Sequence, residues 1–147
     1  MEHRAVLFDL DGTLLDTLED LADSTNAALA QLGFPPHPLD AYRYFVGDGV
    51  TNLILRTLPE AHRDEATVAR TMDLMRRIYG EHWADKTRPY PGIPELLDAL
   101  AECGVKMAVR PLVVSSERME ETRPIPLPLR GPSRPSSVLW ATGAEGA

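Results

Sequence analysis

The chain has 147 residues, 44% of them hydrophobic and 25% charged, with a formal net charge of −7 at pH 7. That is enough chain for one domain with a sizeable core, in the composition range of soluble globular proteins. The acidic balance argues against nucleic acid or an anionic membrane as partner. No apolar run reaches transmembrane length, and Met1-Glu2-His3-Arg4 before a strand does not make a signal peptide.

In chain order, the apolar run at residues 5–8 comes first. Bounded by turn chemistry, it predicts a strand buried on both faces, as in a parallel sheet. Asp9 and Asp11 follow, two residues apart, so an extended chain points both carboxylates the same way at the strand's carboxyl end. Open α/β sheets bind their ligands at that end. Gly12 permits a tight turn, and Thr13 adds a hydroxyl beside backbone N–H groups suited to an anion. Dense negative charge next to anion-binding amides is reconciled by a hard divalent cation, Mg²⁺, which brings a phosphate with it. An isolated Asp-Gly pair would be an ordinary strand-ending turn. Here the run Asp9-Leu10-Asp11-Gly12-Thr13 follows a buried-strand pattern close to the N-terminus, and it reads as a functional motif.

Helical patterns come next. Thr17-Leu18-Glu19-Asp20 reads as a capping box with Asp in the place of Glu. Leu18, Leu21, Ala22, Ala28, Leu29 and Leu32 share one face of the helix it opens, and Gly33 caps its end before Pro35 and Pro36. Shorter helices are predicted over 39–45 and 50–58, separated by Gly47-Asp48-Gly49. A longer one is predicted over 64–83, with Val68, Met72, Met75, Tyr79 and Trp83 as a core stripe. Residues 17–88 thus form a small helical bundle. The glycine pair around Asp48 has two readings: a substrate-contacting loop, or a helix–helix turn that needs glycine dihedrals. Arg43, Arg56 and Lys86 could meet a substrate carboxylate, although charged residues on such helices are ordinarily solvated surface.

Tyr90-Pro91-Gly92 marks the return to a sheet-forming layer. Pro94 suits a first helical turn, Leu96, Leu97 and Leu100 form a stripe, and Gly104 closes the helix before a second parallel strand at 105–109. Cys103, the one cysteine, excludes an intramolecular disulfide and fits a reducing cytoplasm. In this apolar stretch it reads as a buried structural thiol.

The first motif resembles that of the haloacid dehalogenase-like (HAD) superfamily, Asp-x-Asp-Gly-Thr. Over about residues 1–109, with Gly47-Asp48-Gly49 and Tyr90-Pro91-Gly92, the chain looks most like its phosphoglycolate phosphatase family. The resemblance implies an α/β fold: the N-terminal part of a HAD-like Rossmannoid core, from 1–16 and 89–109, with an inserted α-helical cap at 17–88. It implies a phosphomonoester hydrolase acting through an aspartyl-phosphate, with 2-phosphoglycolate as the small phosphorylated substrate. Asp9 would be the nucleophile and Asp11 the general acid–base. Asp9 and the backbone carbonyl of Asp11 would hold Mg²⁺, Gly12 and Thr13 the phosphate, and Gly47, Asp48 and Gly49 would bear on substrate choice. Another small-substrate HAD phosphatase, or a non-catalytic fragment with a folding or partner-binding bundle, are the alternatives.

The resemblance stops at the later motifs. The family places Ser or Thr at the end of the second strand, then a Lys, then an acidic pair that completes the metal site. Here that strand runs into Arg110-Pro111; the last Lys is Lys106 and the last Asp is Asp98. Residues 110–147 are rich in Pro, Arg and Ser. They read as a polyproline ligand, as disordered chain, or as out-of-frame translation after a truncation near Val109; the last explains most. Impaired activity and a two-stranded core are the corresponding expectations.

Overall fold

The computed structural model describes residues 5–110 and 138–140. Strand β1 (Ala5–Asp9) leads through a turn to the two-residue β2 (Leu15–Asp16). Helices α1 (Leu18–Gln31), α2 (Leu39–Phe45), α3 (Val50–Thr57) and α4 (Glu65–His82) follow, with a 3-10 turn at Glu60–His62. Then come β3 (Arg88–Pro89), α5 (Ile93–Glu102), β4 (Lys106–Arg110) and β5 (Val138–Trp140). The chain divides into two compact units, Met1–Asp16 with Arg88–Ala147, and Thr17–Thr87. No described helix is long and apolar enough to cross a membrane.

In the α/β unit, β1 pairs in parallel with β4, from Ala5 against Lys106 to Asp9 against Arg110. A parallel pair needs a crossover, and α5 directly precedes β4. Strand β5 pairs in parallel with the far side of β4, so the described order is β1-β4-β5. Residues 138–140 thus form a strand inside a stretch whose proline content predicts irregular chain; their own segment, Val138-Leu139-Trp140, contains none. The expectations for 111–137 and 141–147 lie outside the described residues.

The prediction that β1 is buried on both faces is corrected. Val6 and Phe8 share a face with Met107 and Val109, their register partners, and that face is packed. Leu10, Leu14, Leu15 and Val109 form the core there, with Phe8 and Ile93 against it. On the opposite face Ala5 and Lys106 are exposed, and Leu7 is 62% exposed. The cause is one-sided cover: helix α5 and the β1–β2 turn pack on one face, and no described element covers the other. The same asymmetry exposes Leu96 while burying Leu97. Cys103, expected to be buried, is exposed. It is the C-cap of α5, beyond the turn that Leu97 anchors, and the chain reverses there through Gly104 at φ 69°.

In the helical unit α1 packs chiefly on α4, with α3 also against α4 and α2 against α1. Small side chains, Ala22, Ser24 and Ala28, let α1 approach closely, and Val68, Met75 and Tyr79 fill in from α4. Helix α1 ends as its glycine predicts. Gly33 adopts φ 79°, its N–H donates to Ala30 O (3.1 Å), and the Phe34 N–H reaches back to Leu29 O (2.9 Å). At its start the capping box does not form. Thr17 makes no side-chain cap, and Asp20 turns inward to accept from the Lys86 N–H (3.0 Å to each oxygen) and the Thr87 N–H (2.7 Å).

A second polar knot joins α1 to the segment that follows it. Asn26 Nδ2 donates to His37 O (2.9 Å), while Asn26 Oδ1 accepts from the His37 N–H (2.9 Å) and the Tyr42 hydroxyl (2.8 Å). Burial, then the charge of Asp23, pushes the Tyr42 phenol above its usual range, so it stays a donor. Asn26→Ala leaves three groups to find new partners, one of them on fully buried Tyr42. It should cost about 2–4 kcal/mol of unfolding free energy. Urea denaturation checks this, and Asn26→Asp, which keeps an acceptor, should lose less.

Helix α4 is capped by Asp64, which accepts from the Thr67 N–H (3.0 Å) and the Thr67 hydroxyl (2.7 Å). The Thr67 hydroxyl first, then its N–H, hold the Asp64 carboxyl below its ordinary value of 3.8. A carboxyl lowered by folding adds stability above its unfolded value and loses it as pH falls through the folded value. The gap in melting temperature between wild type and Asp64→Ala should therefore be a few degrees at pH 6 and should narrow as pH falls below the ordinary carboxyl value of 3.8. A gap unchanged across that range would refute the cap's electrostatic part.

Candidate active site

The motif loop is built by its leucines. The Leu10 carbonyl accepts the N–H groups of Leu14 and Leu15 (3.0 Å each) and, at 3.4 Å, of Thr13. The Gly12 N–H donates to Leu15 O (2.8 Å) from a residue at φ 73°, where a side chain would be strained. Leu10, Leu14 and Leu15 are buried, between 1% and 4% exposed, and plug this knot into the core. Antiparallel pairing of Leu15 with Pro89 and Asp16 with Arg88 braces the far side, as does the Tyr90 N–H to Leu14 O bond (3.2 Å). Apolar anchors thus hold the polar positions between them on a rigid turn, which is what a reacting group needs.

Asp9 ends β1 and Asp11 sits in the turn, bridged to Leu15; both are half-buried. Strand β1 ends at Asp9, and Asp11 lies two residues beyond it in the bridge to Leu15. Gly12 and Thr13 are exposed beside them. One expectation is corrected here: the Gly12 and Thr13 amides bond within the turn, because closing so short a loop uses them. Of the two residues, the exposed hydroxyl of Thr13 is the donor left to meet an anion. Carboxylate and carbonyl oxygens suit a hard cation in kind. Among the described residues no group of three or more acidic, His or Cys side chains that could hold a metal ion is gathered.

Gly47, Asp48 and Gly49 lie in the other unit, Thr17–Thr87. Gly47 (φ 112°) and Gly49 (φ 85°) both take backbone angles that favour glycine, as the turn reading requires. Arg56 bridges this loop, donating to Phe45 O (3.0 Å) and pairing with the Asp48 carboxylate, while Asn52 Nδ2 donates to Asp48 O (2.8 Å). The three cations considered for a substrate carboxylate all have acidic neighbours: Arg56 with Asp48, Arg43 with Asp40 (3.6 Å), Lys86 with Glu19 and Asp23 (2.7 Å each). The hydrogen bonds it donates to Asp23 and Glu19 hold the Lys86 ammonium above its usual range. Asp20 is the residue that pattern reading misplaced. Its sequence signal, Thr-x-x-Asp before an apolar helix, is the same whether the acid caps its own helix or clamps a distant segment.

Comparison with known proteins bears on the whole arrangement. The chain is 34% identical over 150 residues to a phosphoglycolate phosphatase of Nitrosospira multiformis, covering 86% of this chain and 66% of that protein. It is 39% identical over 110 residues to one of Pseudomonas syringae pv. tomato, covering 72% and 40%. Among solved structures it resembles a predicted phosphoglycolate phosphatase from Haemophilus somnus 129pt, with TM-score 0.67, 31% identity and coverage of 74% and 51%. A predicted phosphatase from Clostridium acetobutylicum aligns with TM-score 0.62, 28% identity and coverage of 73% and 48%. The chain thus spans at most about two thirds of the length of these relatives. The sequence model of the haloacid dehalogenase-like hydrolases matches residues 6–125, well past the second strand. With its Asp-x-Asp-Gly-Thr turn at the end of a parallel strand, the chain belongs to the haloacid dehalogenase-like hydrolase family.

Proposed function

We propose that this chain is a phosphomonoester hydrolase of the phosphoglycolate phosphatase type, working from the turn after β1. The observation that carries the reading is the turn after β1, where buried Leu10, Leu14 and Leu15 anchor the segment that bears Asp9, Asp11 and Thr13. Asp9 attacks phosphorus and forms an aspartyl-phosphate while the phosphate–alkoxide bond breaks. Asp11 gives its proton to the departing oxygen. Asp11, now ionised, takes a proton from water, the water oxygen attacks phosphorus, and phosphate leaves with Asp9 restored. The Thr13 hydroxyl binds a phosphate oxygen. Asp9 and the backbone carbonyl of Asp11 are the groups here that would hold Mg²⁺, which would supply the positive charge that lets a phosphate approach the Asp9 carboxylate.

The helical unit belongs to the same proposal as a cap, with the Gly47–Gly49 turn influencing substrate choice through its shape, since Asp48 is already bridged to Arg56. The substrate proposed is 2-phosphoglycolate, by similarity to the phosphoglycolate phosphatases, and the compartment is the cytoplasm, which suits a free, exposed Cys103. Residues 107–147 of this sequence contain no Lys and no Asp, so these 147 residues taken alone are proposed to turn over slowly.

The test is phosphate release from 2-phosphoglycolate and a panel of small phosphate esters, with Mg²⁺ and with chelator. Slow, chelator-sensitive release that favours 2-phosphoglycolate supports the reading, and preference for another ester moves it to a sister phosphatase. No release above background, or release indifferent to chelator, overturns it.

A further inference from the structure

We propose that a groove in the helical unit, between the end of α1 and the middle of α4, is an anion-binding site separate from the Asp9 loop. It is a cavity of about 590 Å³ lined by Gln31, Leu32, Arg70, Asp73, Leu74 and Arg77. That volume is in the range of small-molecule sites. Every lining residue lies within Thr17–Thr87, and none belongs to the turn after β1.

Four of the unit's arginines and lysines are engaged elsewhere, and Arg76, whose Nε is buried without a hydrogen-bond partner, does not line the groove. Arg43, Arg56 and Lys86 have carboxylate neighbours, and Arg63 donates through Nε to Leu58 O (3.0 Å). Arg70 and Arg77, seven residues apart on one face of α4, have no carboxylate at ion-pair distance among the described residues, although Asp73 lies between them in sequence. Two exposed arginines against one aspartate leave the groove with a local positive excess, in a chain whose net charge is −7. Each presents a fork of donors matched to a carboxylate or phosphate.

The rest of the lining narrows the ligand. Leu32 and Leu74 are half-buried and offer apolar wall, and Gln31 adds an amide. Asp73 disfavours charge at the centre. Arg70 and Arg77 are about 10 Å apart along the helix axis at 1.5 Å per residue. The class that fits is a small molecule with oxyanion groups at its two ends and an uncharged middle, whether the oxyanions are carboxylates or phosphates.

The experiment uses the full chain with chelator present, so that phosphate binding aided by a metal at the Asp9 loop does not contribute. Two probes, adipate and 1,4-butanediol bisphosphate, are titrated while the methyl resonances of Leu32 and Leu74 are followed, with sodium chloride at matched ionic strength as control. Saturable shifts at those leucines are expected, reduced about tenfold or more in affinity by Arg70→Gln/Arg77→Gln, with Asp9→Asn binding like wild type. The probe that binds more tightly identifies the oxyanion. These exposed Arg→Gln changes preserve helix propensity, and far-UV circular dichroism verifies the fold; Arg77→Lys, which keeps charge without the fork, should fall between. No saturable shift, the same response to sodium chloride, or equal binding by the double variant would overturn the proposal. None of these outcomes depends on catalysis, so the phosphatase reading stands or falls separately.

Discussion

Asp9→Asn should bring the slow, chelator-sensitive phosphate release down to background and abolish the covalent phosphoenzyme, because an amide cannot form the acyl-phosphate on which both steps depend. Asp11→Asn separates the roles. The amide cannot protonate a leaving alkoxide or deprotonate water, so release from 2-phosphoglycolate should fall by a comparable factor. With p-nitrophenyl phosphate the departing phenolate needs little protonation. Phosphorylation of Asp9 should then survive in Asp11→Asn while hydrolysis stalls, and phosphoenzyme should accumulate. Rapid acid quench with radiolabelled ester distinguishes the two variants, and substantial turnover by Asp9→Asn would sink the nucleophile assignment. Both residues sit on a turn held by buried Leu10, Leu14 and Leu15, so neither change should disturb the fold.

Asp20→Ala should destabilise the helical unit by about 3 kcal/mol. Asp20 is 3% exposed, and its carboxylate accepts from the backbone of Lys86 and Thr87, residues 66 and 67 positions away in the chain. Hydrogen bonds to a charged acceptor are the stronger class, and removing the acceptor leaves two N–H groups to be rehydrated in a packed site. The bonds tie the last residues of Thr17–Thr87 to its first helix, so the ends of the unit are pinned together. Urea denaturation should show a lower midpoint, and hydrogen exchange should show the Lys86 and Thr87 amides losing protection ahead of the helices. Asp20→Asn retains an acceptor and should lose less. An Asp20→Ala protein within 0.5 kcal/mol of wild type would mean that the clamp adds nothing beyond packing.

These expectations differ in how much of their basis the sequence displays. The motif loop was legible because its chemistry is local: a β-rich run, two acids, a glycine at positive φ and a leucine pair within a dozen residues. Helix α2 matches its predicted range, 39–45, since Pro38 and Val46 bound it with extended backbone. The core stripes were only partly legible. Thr25 and Thr71 are fully buried, and a hydropathy pattern passes over them; their hydroxyls are satisfied within their own helices by Leu21 O (2.7 Å) and Thr67 O (2.8 Å). Met72 and Trp83, counted in the α4 stripe, are half-buried.

By itself, then, the sequence determined the family motif, the order of helices and strands and the glycine-terminated helix ends, because each depends on residues within a turn or two of one another. The partners of Asp20 and Asn26 were decided by tertiary structure, as were the one-sided cover of β1 and the inward-facing Gly12 and Thr13 amides. The physical reason is that a side chain with several possible partners takes whichever group packing brings within 3 Å, and a strand is buried on as many faces as the chain supplies layers. For Asp20 the local helix N–H groups and the remote amides of Lys86 and Thr87 were both chemically suitable donors, and packing of α1 against α4 selected the remote pair.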